Sequence, residues 1–133
     1  MVVILLPWYC KIKPMELKIK TDPSRFFRQL LEILDFTPKY IILSNREKDV
    51  FAEILMYSWI YKDVAKEERW IIITSSDIRE KMRVKLGMSK EGLNNIFTAL
   101  RRKKLITFTG VSEDYLMTPD SILTIKFYQD ADR

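Results

Sequence analysis

Histidine is absent from this chain, and cysteine occurs once, at Cys10. An intramolecular disulfide is therefore excluded, a zinc ion would lack its usual imidazole and thiolate ligands, and histidine-based acid–base catalysis is excluded. A single cysteine fits a reducing compartment, and an intracellular location, cytoplasmic or virion-associated, is expected. Three glycines and five prolines leave little room for flexible linkers, and no low-complexity segment or internal repeat is visible. Glycine-rich phosphate loops, metal-ligand spacings and nucleophile elbows are all missing. No metal and no other cofactor are expected, and no enzymatic activity. Long apolar runs are missing as well. The opening MVVILLPWYC is too short to cross a bilayer, has no basic residue ahead of its apolar run, and meets Lys11 at once. A buried strand or arm is expected there, and no membrane partner.

What remains is a chain of 133 residues, the size of one domain and enough for a real core. Its charge is unevenly placed. The stretch Ser76–Lys104 (SDIREKMRVKLGMSKEGLNNIFTALRRKK) holds nine basic and three acidic residues, a balance of +6, against +5 for the whole chain. A local basic patch is the electrostatic footprint of a polyanion site.

Taken in order, residues 1–9 form an apolar run, and 15–20 (MELKIK) alternate as a half-buried strand does. Asp22-Pro23 is a helix start, and Phe26, Phe27, Leu30, Leu31 and Leu34 fall at helical spacing. This helix, 23–35, is expected to pack on the core, with a homodimer contact through it or through the N-terminal arm as the alternative. Ser44-Asn45-Arg46-Glu47 reads as a capping box opening a helix to about Tyr61. The alternation of Tyr57, Trp59 and Tyr61 places them around that helix, not on one face. Residues 70–74 (WIIIT) predict a short β-branched strand. Then come the two helices of the basic stretch, a strand at 105–109, a turn at 110–114 and a returning strand at 115–118. Residues 121–129 alternate again. The patterns LKIK (17–20) and LTIK (123–126) are expected in one small terminal sheet, paired with each other.

Within the basic stretch, Ile78, Met82 and Leu86 face inward, Gly87 suits a left-handed helix end, and Ser89 caps the next helix. Met88 and Leu93 flank that cap as a hydrophobic staple, and Leu93, Ile96, Phe97 and Leu100 form the inward stripe. On these residues the chain resembles the winged helix-turn-helix family. The entry IIITSSDIREKM, the turn KLGMS, the helix LNNIFTALRRKKLI and the hairpin ITFTGVSEDYLMTP carry the resemblance, over roughly residues 41–119. The hairpin's Tyr115 and Pro119 resemble those of small plasmid and phage replication or regulatory proteins. The implied fold class is α+β: a winged-helix domain at 41–119, an N-terminal arm, strand and packing helix at 1–40, and a C-terminal strand and tail at 120–133.

The expected function is double-stranded DNA binding, by a transcriptional regulator or replication factor that docks helix 89–103 in the major groove. Asn95, Thr98 and Arg102, with Glu91, lie on the outward face of that helix and Asn94 and Arg101 on its shoulder, and the asparagines and arginines are types able to read base edges. Lys90 lies on the same shoulder. Ser76, Arg79, Lys103 and Lys104 are expected nearer to phosphates, where they set register without reading sequence. One feature opposes the pattern: the expected wing tip, Ser112-Glu113-Asp114, is acidic, where a groove-entering wing carries cations. A virion or complex assembly protein that uses the domain for protein contacts is the alternative.

Overall fold

The computed structural model describes residues 2–5, 15–17, 23–34, 42–112 and 123–126. The chain divides into two compact units, Met1–Asp22 with Met117–Arg133, and Pro23–Leu116. The first unit holds three short strands: β1 (Val2–Leu5), β2 (Met15–Leu17) and β3 (Leu123–Lys126). β1 is central, antiparallel to β2 (Val3 opposite Glu16) and parallel to β3 (Val3 opposite Thr124). The two alternating segments do share a sheet, but they do not pair with each other as expected. The apolar N-terminal strand lies between them.

The second unit is helical: α1 (Pro23–Leu34), α2 (Asn45–Ile60), α3 (Lys66–Ile73), α4 (Ser76–Leu86) and α5 (Lys90–Arg102). Its core is one cluster. Val50, Phe51, Ile54 and Leu55 of α2 meet Phe27 and Leu31 of α1, Trp70 and Ile73 of α3, Ile78 and Met82 of α4, and Leu93, Phe97 and Leu100 of α5. Full burial of a side chain such as Phe97 or Met82 is worth about 2–3 kcal/mol, and both are essentially inaccessible. α2 is buried along most of its length, as its two apolar faces require. Its capping box forms: the Glu47 N–H donates to Ser44 Oγ at 3.2 Å, and the Ser44 N–H donates to Glu47 Oε1 at 3.1 Å. Arg28 of α1 donates to Asp49 of α2 at 2.9 Å.

The α+β winged-helix expectation is overturned. The segment expected as a strand, 70–74, lies mostly in α3. A three-isoleucine run favours extended chain only weakly, and tertiary contacts override it. As a helix, Trp70 and Ile73 reach the core together, at the cost of leaving Ile71 69% exposed. Arg69 closes the preceding loop, donating to the carbonyls of Tyr61 (3.0 Å), Lys62 (3.1 Å) and Val64 (2.9 Å). The charged connection expected at 62–69 is thereby half helix.

The wing is also corrected. A wing needs two paired strands, and residues 105–112 form a single isolated bridge, Ile106 with Val111. The chain reverses at Thr107–Gly110, earlier than the turn expected at 110–114, with the Thr107 N–H donating to the Gly110 carbonyl at 2.8 Å. The expected returning strand (115–118), Glu113, Asp114 and Pro119 lie outside the described residues. Among the described residues no helix is long and apolar enough to cross a membrane.

Candidate nucleic-acid interface

The α4–turn–α5 unit forms as its residues dictate. Ser75 is the N-cap of α4, its Oγ accepting from the Ile78 N–H at 3.4 Å. Ser76, the residue selected from the sequence, is one position inside and exposed. Gly87 ends α4 with φ of 63°, the left-handed conformation that glycine adopts without a Cβ penalty. Ser89 caps α5, accepting from the Gly92 N–H at 3.0 Å. Ile78, Met82, Leu93, Phe97 and Leu100 are buried, while Leu86, Met88 and Ile96 are half-buried against the cluster. The angle between the helices is therefore set by apolar packing, and the polar side of α5 is left outside.

The outward residues Lys90, Asn94, Asn95, Thr98 and Arg102 are exposed, and Arg101 is half-buried. At about 100° per residue, Lys90, Asn94 and Arg101 share one strip of the helix, roughly 16 Å long. Asn95 and Arg102 lie on the pole. Glu91, also exposed, is the one carboxylate of α5.

Four of the residues expected to bind meet in a cleft of about 200 Å³ between the first turns of α4 and α5: Ser76, Arg79, Lys90 and Asn94. Arg79 organises it. Its Nη1 donates to Asn94 Oδ1 at 2.6 Å, and its Nε donates to the Thr74 carbonyl at 3.1 Å. Its guanidinium carbon sits 4.6 Å from the Phe97 ring centroid. Arg79 thus ties α4 to α5, and the Asn94 side-chain oxygen is engaged while its amide N–H groups have no partner among the described residues. Thr98 directs its hydroxyl to the Asn94 backbone carbonyl at 3.1 Å. Asn95 and Arg102 have no hydrogen-bond or ion-pair partner among the described residues.

Burial pushes the Arg79 guanidinium below its ordinary pKa, and the charge of Arg101 pushes it further the same way. No carboxylate contacts Arg79 or Arg101 among the described residues, so the two like charges stand near each other with no anion paired to either. Arg101 lies instead against the ring of Phe108, 4.6 Å from its centroid. Arg83 at the cleft rim is different: it pairs with Glu80, and that hydrogen bond holds the Glu80 carboxyl below the ordinary carboxylate range.

Lys103 does not join this surface. It projects to the opposite shoulder of α5, where its Nζ lies 2.8 Å from Glu47 Oε2 and donates to the Ile42 carbonyl at 3.0 Å. Burial raises the Glu47 pKa, but the hydrogen bonds from Lys103 and Ser44 outweigh it, so the carboxyl titrates below its ordinary value. Lys85 is engaged in the same way, 2.6 Å from the buried Glu53. Lys104, exposed, occupies the position after the helix end with φ of 63°. The Leu105 N–H closes the turn onto the Leu100 carbonyl at 3.1 Å.

The sequence reading missed Ser75, Glu47 and Glu53 as partners of this stretch, and Phe108 altogether. A serine doublet leaves the cap ambiguous by one residue. The two glutamates lie 56 and 32 positions from their lysines (103 − 47 and 85 − 53), so no local spacing reveals them. Among the described residues no cluster of carboxylates or cysteines is placed to hold a metal. Set against family models, curated proteins and solved structures, the chain matches none.

Proposed function

We propose that the chain is a DNA-binding protein that lays the exposed side of α5 in the major groove of a duplex, as a regulator or a replication factor. The observation that carries this reading is the set of cations on and beside α5 that lack an internal anion. Lys90, Arg102 and Lys104 have no hydrogen bond or ion pair among the described residues, and Arg79 and Arg101 have no carboxylate. Phosphates supply the missing anions, and each one neutralised releases counterions, which drives binding at low salt. Asn95 and Arg102 on the pole, and the unpartnered amide N–H groups of exposed Asn94, are the groups with hydrogen-bonding capacity for base edges. Ser76 belongs to the phosphate-facing rim of the cleft.

A single α5 reads few bases, and two copies on adjacent half-sites would supply the rest. Phe27 and Leu31 of α1 are already packed on α2, so a dimer would use other surface.

The test is a mobility-shift titration of the full chain against a random duplex pool at several salt concentrations. Binding that weakens steeply with salt, and enrichment of a sequence on repeated selection, are the expected results. Absence of binding to any duplex at low salt overturns the reading.

A further inference from the structure

Phe108 is 81% exposed and is the one aromatic among the large exposed apolar side chains of the described residues. Single exposed apolar residues are ordinary, but this one is held in place. Its turn is pinned at both ends. The Thr107 N–H donates to the Gly110 carbonyl, Thr107 Oγ1 donates to the same carbonyl at 3.2 Å, and the Thr109 N–H donates to Thr107 Oγ1 at 3.2 Å. The bridge between Ile106 and Val111, both buried, anchors the turn to the core. The Arg101 guanidinium lies on the ring, and its Nε is buried without a hydrogen-bond acceptor among the described residues, so the π electrons of Phe108 are its compensating partner. The rest of the ring faces solvent. The turn follows directly on the cationic end of α5, after Arg101, Arg102 and Lys104.

A rigid aromatic ring backed by a guanidinium, at the end of a strip of cations, has the composition of a base-stacking platform. A base inside an intact duplex offers no free face to such a ring; an unpaired base does. We infer that Phe108 stacks an unpaired base, so that the protein engages a junction between duplex and single strand, with α5 on the duplex and Phe108 on the first bases of the tail. This rests on the duplex-binding reading and narrows it to a class of DNA. Exposed Ile42, Ile71 and Val84 have no comparable role, because an aliphatic side chain lacks the planar face that stacking needs.

The experiment is a fluorescence-anisotropy titration of the full chain at low salt. It uses a blunt duplex and the same duplex carrying a short oligothymidine tail at either its 3′ or its 5′ end. One tail is expected to tighten binding about tenfold, within the range of stacking contributions measured by alanine substitution. Phe108→Ala should remove that gain, Phe108→Trp should keep it, and blunt-duplex affinity should change less than about twofold. Because the ring is exposed, the melting temperature of Phe108→Ala should match that of the parent, which keeps the comparison free of a folding defect. A tail gain that survives Phe108→Ala, or no tail gain at all with blunt duplex still bound, overturns the stacking role and leaves duplex binding standing. A change in sedimentation mass in Phe108→Ala with an unaltered tail gain assigns the ring to a protein contact and also overturns it. No binding to either DNA overturns both readings.

Discussion

The two sides of the α4–α5 unit both carry cations and differ in what those cations touch. On the shoulder facing α2, Lys103 is held by Glu47, and Lys85 of α4 is held by Glu53. On the other, Arg79 and Arg101 lie over aromatic rings, and Lys90, Arg102 and Lys104 have no ion pair among the described residues, although Lys90 shares its cleft with Glu80, which is itself paired with Arg83. Glu47 and Glu53 add two carboxylates to the basic stretch, lowering its balance from +6 to +4 (6 − 2 = 4). Net charge counted along a sequence therefore overstates the charge that a polyanion meets. The useful quantity is the number of cations without an internal anion, and within Ser76–Lys104 those are Arg79, Lys90, Arg101, Arg102 and Lys104.

The largest expected effect tests that division directly. Removing the free cations together, by Lys90→Ala, Arg102→Ala and Lys104→Ala, should lower the salt dependence of duplex binding by about three units of slope and weaken binding on the order of a hundredfold. The matched pair Lys85→Ala and Lys103→Ala should leave the slope unchanged. Equal losses in the two sets, measured by anisotropy across a salt series, would break the comparison.

The converse holds for stability. Lys103→Ala strips a mostly buried carboxylate of its charged donor and should lower unfolding free energy by about 2 kcal/mol, somewhat less after solvent screening of the lysine. Denaturant titration reads it, and DNA affinity measured below the transition should stay put. The same pair sets a pH signature. The Glu47 carboxyl has its pKa lowered in the folded chain, so its contribution is fully present above the ordinary value of 4.5 and is lost as pH falls through the lower folded value. Glu47→Gln should therefore flatten the acid limb of stability below that pH and leave neutral-pH titration behaviour alone.

Smaller still is the coupling between Arg79 and Asn94. A double-mutant cycle of Arg79→Ala and Asn94→Ala should give about 1 kcal/mol of interaction in stability. A value near zero would mean that the contact between α4 and α5 rests on packing alone. The smallest change is Lys104→Gly. It relieves a left-handed non-glycine residue and should stabilise the fold by up to about 1 kcal/mol, while removing one free cation and about one unit of salt slope.

Much of the α4–α5 unit was legible because its signals are local. Caps, the glycine at 87 and stripes at three- and four-residue spacing act within one or two turns, and the chain obeys them at Ser44, Gly87, Ser89 and Leu93–Leu100. The error at 70–74 arose where local preference was weak: three isoleucines suit a strand, but as a helix Trp70 and Ile73 reach a core supplied by α2 and α4. The hairpin reading failed for a related reason. The strand expected at 105–109 carried no signal for a pairing partner, and in the structure the reversal comes at Thr107–Gly110 within a single bridge.

By itself, then, the sequence determined the two capped helices, their inward stripes and the clustering of basic residues, because these depend on neighbours a few positions away. Only the tertiary structure decided which of those cations are free. Glu47 and Glu53 reach Lys103 and Lys85 across the fold, and the turn at 107–110 brings Phe108 under Arg101. Charge is a property of composition, but its availability depends on which opposite charges the packed helices bring within a few ångströms.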